Sequence, residues 1–177
     1  MTVALHDSVS IRPLEPSDAD ALAVAYARNR TYLQPWEPIR PDSFYTSAGQ
    51  HERLSASLAE RTAGRSFFWA MFDGSELLGC ISLTDVVRGA FQNGHVGYWI
   101  ASDFQGRGLA TAAVAFVASF ATEMGLHRLQ AATLGHNTGS RKVLGRNGFV
   151  EIGLAPEYIK INGAWQDHVL FQKVLHG

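Results

Sequence analysis

The hydrophobic positions along the chain change period several times, and each change predicts an element. Val9-Ser10-Ile11-Arg12-Pro13-Leu14 reads as a short strand. Ser17-Asp18-Ala19-Asp20 then has capping-box character ahead of Leu22, Ala25, Tyr26 and Asn29, which fall at helical spacing, so a first strand leads into a first helix. From Leu33 to Pro41 three prolines surround Trp36 and Glu37, which forbids regular helix and predicts an ordered loop of the kind that lines sites. A second helix is predicted from about Ser47 to Thr62, with Leu54 and Leu58 one turn apart on its inner side.

Ser66 to Phe72 is aromatic and β-prone, Asp73-Gly74 is a hairpin signal, and Glu76 to Val87 is a long apolar run, so these two stretches pair antiparallel. His95 to Ala101 makes another strand, a glycine-bearing loop follows, and Leu109 to Met124 reads as a helix apolar around most of its circumference, which must therefore pack on a sheet. Leu129 to Leu134 is a strand, Thr138 to Asn147 a short helix closed by Gly148, and Phe149 onward is strand again. Asn162-Gly163 suits a two-residue type I′ turn and sets Tyr158-Ile159-Lys160-Ile161 opposite Ala164 through Val169.

Composition narrows the function. At 177 residues, 46% hydrophobic and 18% charged, the chain fits one globular domain spanning residues 1–177. A formal net charge of -1 without a Lys/Arg run gives no footprint for nucleic acid. Neither a leader at Met1–Asp7 nor a membrane-spanning stretch is visible, so a cytoplasmic protein is expected. Cys80 lies in an apolar run and reads as core, and His95, His127 and His136 lack zinc-site spacing, so no metal is expected.

The loop Gln105-Gly106-Arg107-Gly108-Leu109-Ala110 carries the chemistry. A strand that ends in such a loop and opens a helix points free backbone N–H groups and the positive end of the helix dipole at one spot, which suits an anion. No Gly-Lys-Ser or Gly-Lys-Thr follows, and the third small residue of a dinucleotide fingerprint is missing, so nucleoside triphosphates and NAD are disfavoured.

Gln105-x-x-Gly108-x-Ala110 after an antiparallel strand resembles the acetyl-CoA loop of the GNAT N-acetyltransferases. Gly97-Tyr98-Trp99-Ile100, Gly125 to Leu129, Asn137-x-x-Ser140 and Asn147-Gly148-Phe149 stand in the order seen in the RimJ/RimL group of that family, which acetylates protein N-termini. Leu33 to Pro38, Val86 to Gly89 and Ile161 to Val169 look RimJ-like. The resemblance implies an α/β (α+β) GNAT fold, a mostly antiparallel, twisted sheet of about six or seven strands with helices on both faces, and acetyl-CoA as cofactor. It further implies that Trp99, Ile100 and Ala101 offer main-chain groups to the pantetheine arm, that Gln105, Gly106, Arg107, Gly108, Leu109, Ala110 and Thr111 hold the pyrophosphate, and that Asn137 and Ser140 lie near the thioester. Asn137 equally suits a helix N-cap.

Acetyl transfer needs a neutral amine and a proton for the departing thiolate. Ser140 or Tyr158 is the expected proton donor, directly or through water. Glu37 is the candidate for steering or deprotonating the amine, and Trp36 for shaping the acceptor pocket. Asp167 and His168 are adjacent on a strand and point to opposite faces, so at most one faces the site, and a structural role is expected for the pair. The expected acceptor is a peptide or protein N-terminus, with a small amine such as a polyamine, amino acid or antibiotic as the alternative. A noncatalytic acyl-CoA-binding module is the rival from another class. A homo-oligomer is compatible with the sequence.

Overall fold

The computed structural model describes residues 2–6 and 8–175; Met1 and Asp7, at the ends of the stretch read for a leader, lie outside them. In chain order the strands are β1 (Val3–His6), β2 (Val9–Pro13), β3 (Phe67–Asp73), β4 (Glu76–Val87), β5 (Asn93–Ile100), β6 (Arg128–Leu134), β7 (Val150–Ile161) and β8 (Ala164–Val174). The helices are α1 (Ala19–Arg28), α2 (Arg30–Leu33), α3 (Ser47–Thr62), α4 (Leu109–Glu123) and α5 (Thr138–Arg146).

All eight strands form one sheet in the order β1-β2-β3-β4-β5-β6-β8-β7. Six or seven strands were expected; the extra one is β1, whose four residues are too few to show an alternating pattern by themselves and pair with β2 as the sheet edge. Every pairing is antiparallel except β5 with β6, which is parallel because α4 carries the chain back across the sheet between them.

Helices cover both faces. Leu22, Ala25 and Tyr26 of α1 and Leu54 of α3 bury against Ala70, Phe72 and Cys80 on one face. Ala113, Val114, Val117 and Ala121 of α4, spaced to share one side of the helix, bury against Met71, Ile81, Leu83 and Val96 on the other.

The capping box spans Glu15 to Asp18, about two residues ahead of the Ser17 to Asp20 stretch that the sequence pattern named. Asp18 accepts from Glu15 N at 2.9 Å and pairs with Arg12 at 2.6 Å, so its carboxylate closes a 3-10 turn over Pro16–Asp18 before α1 begins. The proline-rich segment opens with a single 3-10 turn over Gln34–Trp36, which proline tolerates at its start.

Candidate active site

The site originates in a pairing that stops early. β5 and β6 are in register only at Asn93↔Arg128, Gly94↔Leu129 and His95↔Gln130, where Asn93 Nδ2 donates to Gln130 Oε1 at 2.9 Å. Beyond His95 the two strands part, while β5 stays paired with β4 and β6 with β8. Ala101 N donates to Leu78 O at 2.8 Å, and because N–H and C=O groups alternate edges along a strand, Trp99 also faces β4. Ile100 and Tyr98 therefore turn their main-chain groups into the wedge. Of the three residues at the end of β5 and just past it that the sequence named, Ile100 has free groups there; Ala101 is buried, and the Trp99 indole N–H donates to Tyr26 OH at 3.0 Å on the α1 face.

The mouth of the wedge is the start of α4. Gly106 and Gly108 adopt φ of 74° and 78°, a left-handed backbone that glycine takes without strain. With Gly108 as N-cap, no side chain caps α4, and the first bond into the helix is Ala112 N to Gly108 O at 3.0 Å. The N–H groups of Leu109, Ala110 and Thr111 are left without helical partners. They open on a cavity of about 550 Å³ that Gln105, Gly106 and Gly108 also line, together with Lys142 and Arg146 one turn apart on α5. Free donors, a helix dipole and two cations suit a phosphorylated ligand. Arg107 is not part of this lining; its guanidinium stacks over Phe104 at 4.9 Å.

A second cavity, of about 410 Å³, lies on the α1 and α3 side of the wedge. The two cavities share Trp36, Tyr98, Trp99, Asn137 and Ser140. Asn137 caps α5 by accepting from Ser140 N at 3.0 Å, the structural role foreseen for it, and its residue still lines both spaces. Ser140 Oγ lies 2.9 Å from Tyr98 OH. Burial pushes the Tyr98 phenol up to about 12, partly opposed by that bond, so the phenol stays protonated. With Tyr98 donating, the Ser140 proton is free to point into the wedge. Trp36 packs its ring 5.3 Å from that of His136 and roofs the junction.

Glu37 lines the second cavity beside Arg40 and Arg53. Burial raises its carboxyl above the usual range, with both arginines pulling the other way. Cys80 lies on the same wall, and burial pushes its thiol up to about 12, which leaves it protonated and a poor nucleophile. The turn Asn162-Gly163 closes over this end: Asn162 N donates to Glu37 O at 2.9 Å and Gln34 Nε2 donates to Asn162 Oδ1 at 3.2 Å.

Tyr158 lines neither cavity, although its ring lies 5.9 Å from that of His168. β7 bulges between Ala155 and Ile159, with Glu157 at φ 47° held by Asp167 Oδ1, and Tyr158 is left 43% exposed outside both cavities. Of the pair Asp167 and His168, for which a structural role was expected and at most one of which could face the site, His168 is the one that does. It is 3% exposed, lines the second cavity, and its Nδ1 lies 3.0 Å from Gln166 O. A carbonyl only accepts, so Nδ1 is the donor in this contact. Strand alternation already put Asp167 and His168 on opposite faces; the buried face was the one signal available. Lys142, Arg146 and Arg53 were missed because single cations on helix surfaces carry no local mark.

Comparison with known proteins agrees with this geometry. Residues 8–150 match the acetyltransferase (GNAT) domain. The [ribosomal protein uS5]-alanine N-acetyltransferase of Escherichia coli (strain K12) is 36% identical over 167 residues, covering 93% of this chain and 86% of that protein. The crystal structure of a ribosomal-protein-S5-alanine acetyltransferase from Vibrio fischeri superposes with a TM-score of 0.95 at 34% identity, covering 99% of this chain and 97% of that one. Mycobacterium smegmatis RimJ in complex with CoA-disulfide gives a TM-score of 0.88 at 33% identity, over 94% and 81% of the two chains.

Proposed function

The chain belongs to the GNAT acetyltransferase family, and from that premise we propose that it transfers the acetyl group of acetyl-CoA to the N-terminal α-amine of a protein, a ribosomal protein by analogy with its relatives. The observation that carries this reading is the meeting of two cavities at Tyr98, Asn137 and Ser140, one running to the donors of α4 and the other to Glu37.

Bound acetyl-CoA supplies an activated acetyl thioester. Gln105, Gly106, Gly108 and the N–H groups of Leu109, Ala110 and Thr111 would hold its pyrophosphate, with Lys142 and Arg146 adding charge. Main-chain groups of Tyr98 and Ile100 stand where a missing strand would bond, and they align the pantetheine arm. Ser140, set against Tyr98, would pass a proton to the departing thiolate and be reprotonated by the one the amine gives up, directly or through water. Glu37 draws the amine to the junction. An α-amine has a pKa of about 8 and is roughly a hundredfold or more richer in neutral form than lysine, so a mild base suffices.

The test is thiol release from acetyl-CoA with an Ala- or Ser-starting peptide, a polyamine, or no acceptor, with mass spectrometry locating the added acetyl group. Turnover confined to the peptides, with the label on the first residue, is expected. Turnover confined to the polyamine would replace the acceptor with a small amine. Tight CoA binding with no acceptor-dependent release would leave a binding module.

A further inference from the structure

The arginines around α1 and α3 each hold a carboxylate close by, Arg28 holding two, with two exceptions. Arg12 pairs with Asp18 at 2.6 Å, Arg30 with Asp42 at 2.8 Å and Arg61 with Glu15 at 2.9 Å. Among the described residues Arg53 has no such ion pair, and Arg40 reaches only Glu37, at 3.9 Å. Both of these arginines line the second cavity.

Their placement is built. Gln50, fully buried, donates to Phe44 O and accepts from Arg53 Nε at 3.0 Å, which fixes the Arg53 guanidinium and leaves its two terminal nitrogens for another partner. The Arg53 Cζ lies 5.5 Å from the Phe44 ring centroid and the Arg40 Cζ 4.8 Å from the same centroid. Arg40 Nε is buried with no hydrogen-bond partner. Two like charges thus converge on one aromatic ring, with Glu37, 3.9 Å from Arg40, the one carboxylate near the pair at ion-pair distance among the described residues. Such an arrangement is favourable once a further anion enters, and a guanidinium fork accepts a carboxylate in two parallel bonds.

We infer that Arg40 and Arg53 form a carboxylate-binding subsite in the acceptor cavity, so that the protein selects amines carrying an acidic group a short distance away. This rests on the proposed acetyl transfer and adds a substrate class to it. In a peptide the group is an Asp or Glu side chain close behind the first residue; the same chemistry is presented by the α-carboxylate of a free amino acid. The excess of positive charge also disfavours an ammonium ion beside it, which helps present the amine in its neutral form.

The experiment compares isosteric acceptors with acetyl-CoA: Ala-Glu-Ser-Phe against Ala-Gln-Ser-Phe, and free alanine against alaninamide, together with calorimetric binding of each to the CoA-loaded protein. The acidic peptide is expected to exceed its Gln isostere about tenfold in kcat/KM, mainly through KM, and to bind more tightly. That preference should fall to within about twofold in Arg53→Gln and in Arg40→Gln, and survive in part in Arg53→Lys, with CoA affinity as the check that each variant is folded. Alanine favoured over alaninamide, without peptide turnover, would keep the subsite and assign its ligand as an amino acid. Selective binding without turnover would keep the subsite and remove the acetyl transfer. Equal binding and equal rates for the isosteres in the wild-type protein, or a preference that persists in both Gln variants, overturns the inference.

Discussion

The two ends of the wedge are made of different material. At the end that opens on α4, the groups facing the cavity are mainly main-chain N–H donors, placed by two left-handed glycines and by a strand that loses its neighbour, with Lys142 and Arg146 beside them. At the other end they are side chains, Glu37, Arg40, Arg53 and His168, brought in from the proline-rich loop, α3 and β8. A ligand common to a family can be held by groups every residue possesses, whereas selection among acceptors needs side chains that differ. Substitutions at the first end should therefore alter cofactor binding, those at the second acceptor use, and the junction between them the chemical step.

The junction should give the largest effect. Ser140→Ala is expected to lower kcat roughly a hundredfold, the usual contribution of a positioned proton donor, with CoA affinity unchanged since Asn137 still bonds the backbone N–H at position 140. Tyr158→Phe is its control and should shift kcat by less than about twofold, as for an exposed side chain outside the cleft. Rates that rank these two variants the other way round would move the proton donor to β7.

Next comes the helix mouth. A Cβ at Gly108 would meet nothing within 4 Å, so the cost of Gly108→Val is the left-handed φ of 78° and the loss of close approach for an anion. Strain of about 1–3 kcal/mol corresponds to roughly ten- to hundredfold weaker CoA binding, read by calorimetry on a variant whose circular dichroism is unchanged. Unaltered affinity in a folded variant would remove the pyrophosphate cradle from the loop.

These contrasts follow how the sequence could be read. The long apolar period of α4, the glycines before it and the Asn162-Gly163 turn are local signals, and the structure places them as expected. The wedge is not local, since it is a pairing that β5 and β6 fail to continue, and no residue marks where two strands part. The bulge that turns Tyr158 outward depends on Asp167 binding Glu157 N across the hairpin, so the tyrosine looked as eligible as Ser140 until the register was known. Arg53 looked like an ordinary surface cation on α3 because its lack of a carboxylate is visible only in three dimensions.

The acceptor end also has a pH signature. Burial raises the Glu37 carboxyl above its ordinary value of 4.5, with Arg40 and Arg53 opposing. A raised pKa means the folded protein binds this proton more tightly than the unfolded chain. The associated stability is therefore fully present below about pH 4.5 and is lost as pH rises through the folded value. Glu37→Gln removes that dependence, so the Tm of the variant minus that of the wild type should increase with pH across this window. A flat difference would mean that the arginines balance burial, and a falling one that they outweigh it.

The smallest effect tests whether the hairpin tip belongs to the acceptor end. Gly163 sits at φ 83°, and a Cβ there would lie 3.1 Å from Ile39 Cδ1, so Gly163→Ala strains the turn and presses on the proline-rich loop at once. The cost is about 1 kcal/mol. Because Asn162 N holds Glu37 O, a shifted tip carries Glu37 and Arg40 with it while α4 and its loop stay in place. KM for the acceptor should rise by about two- to fivefold with CoA affinity unchanged. Equal losses in both would mean that the two ends of the wedge are mechanically joined through Trp36, the residue of this loop that lines both cavities.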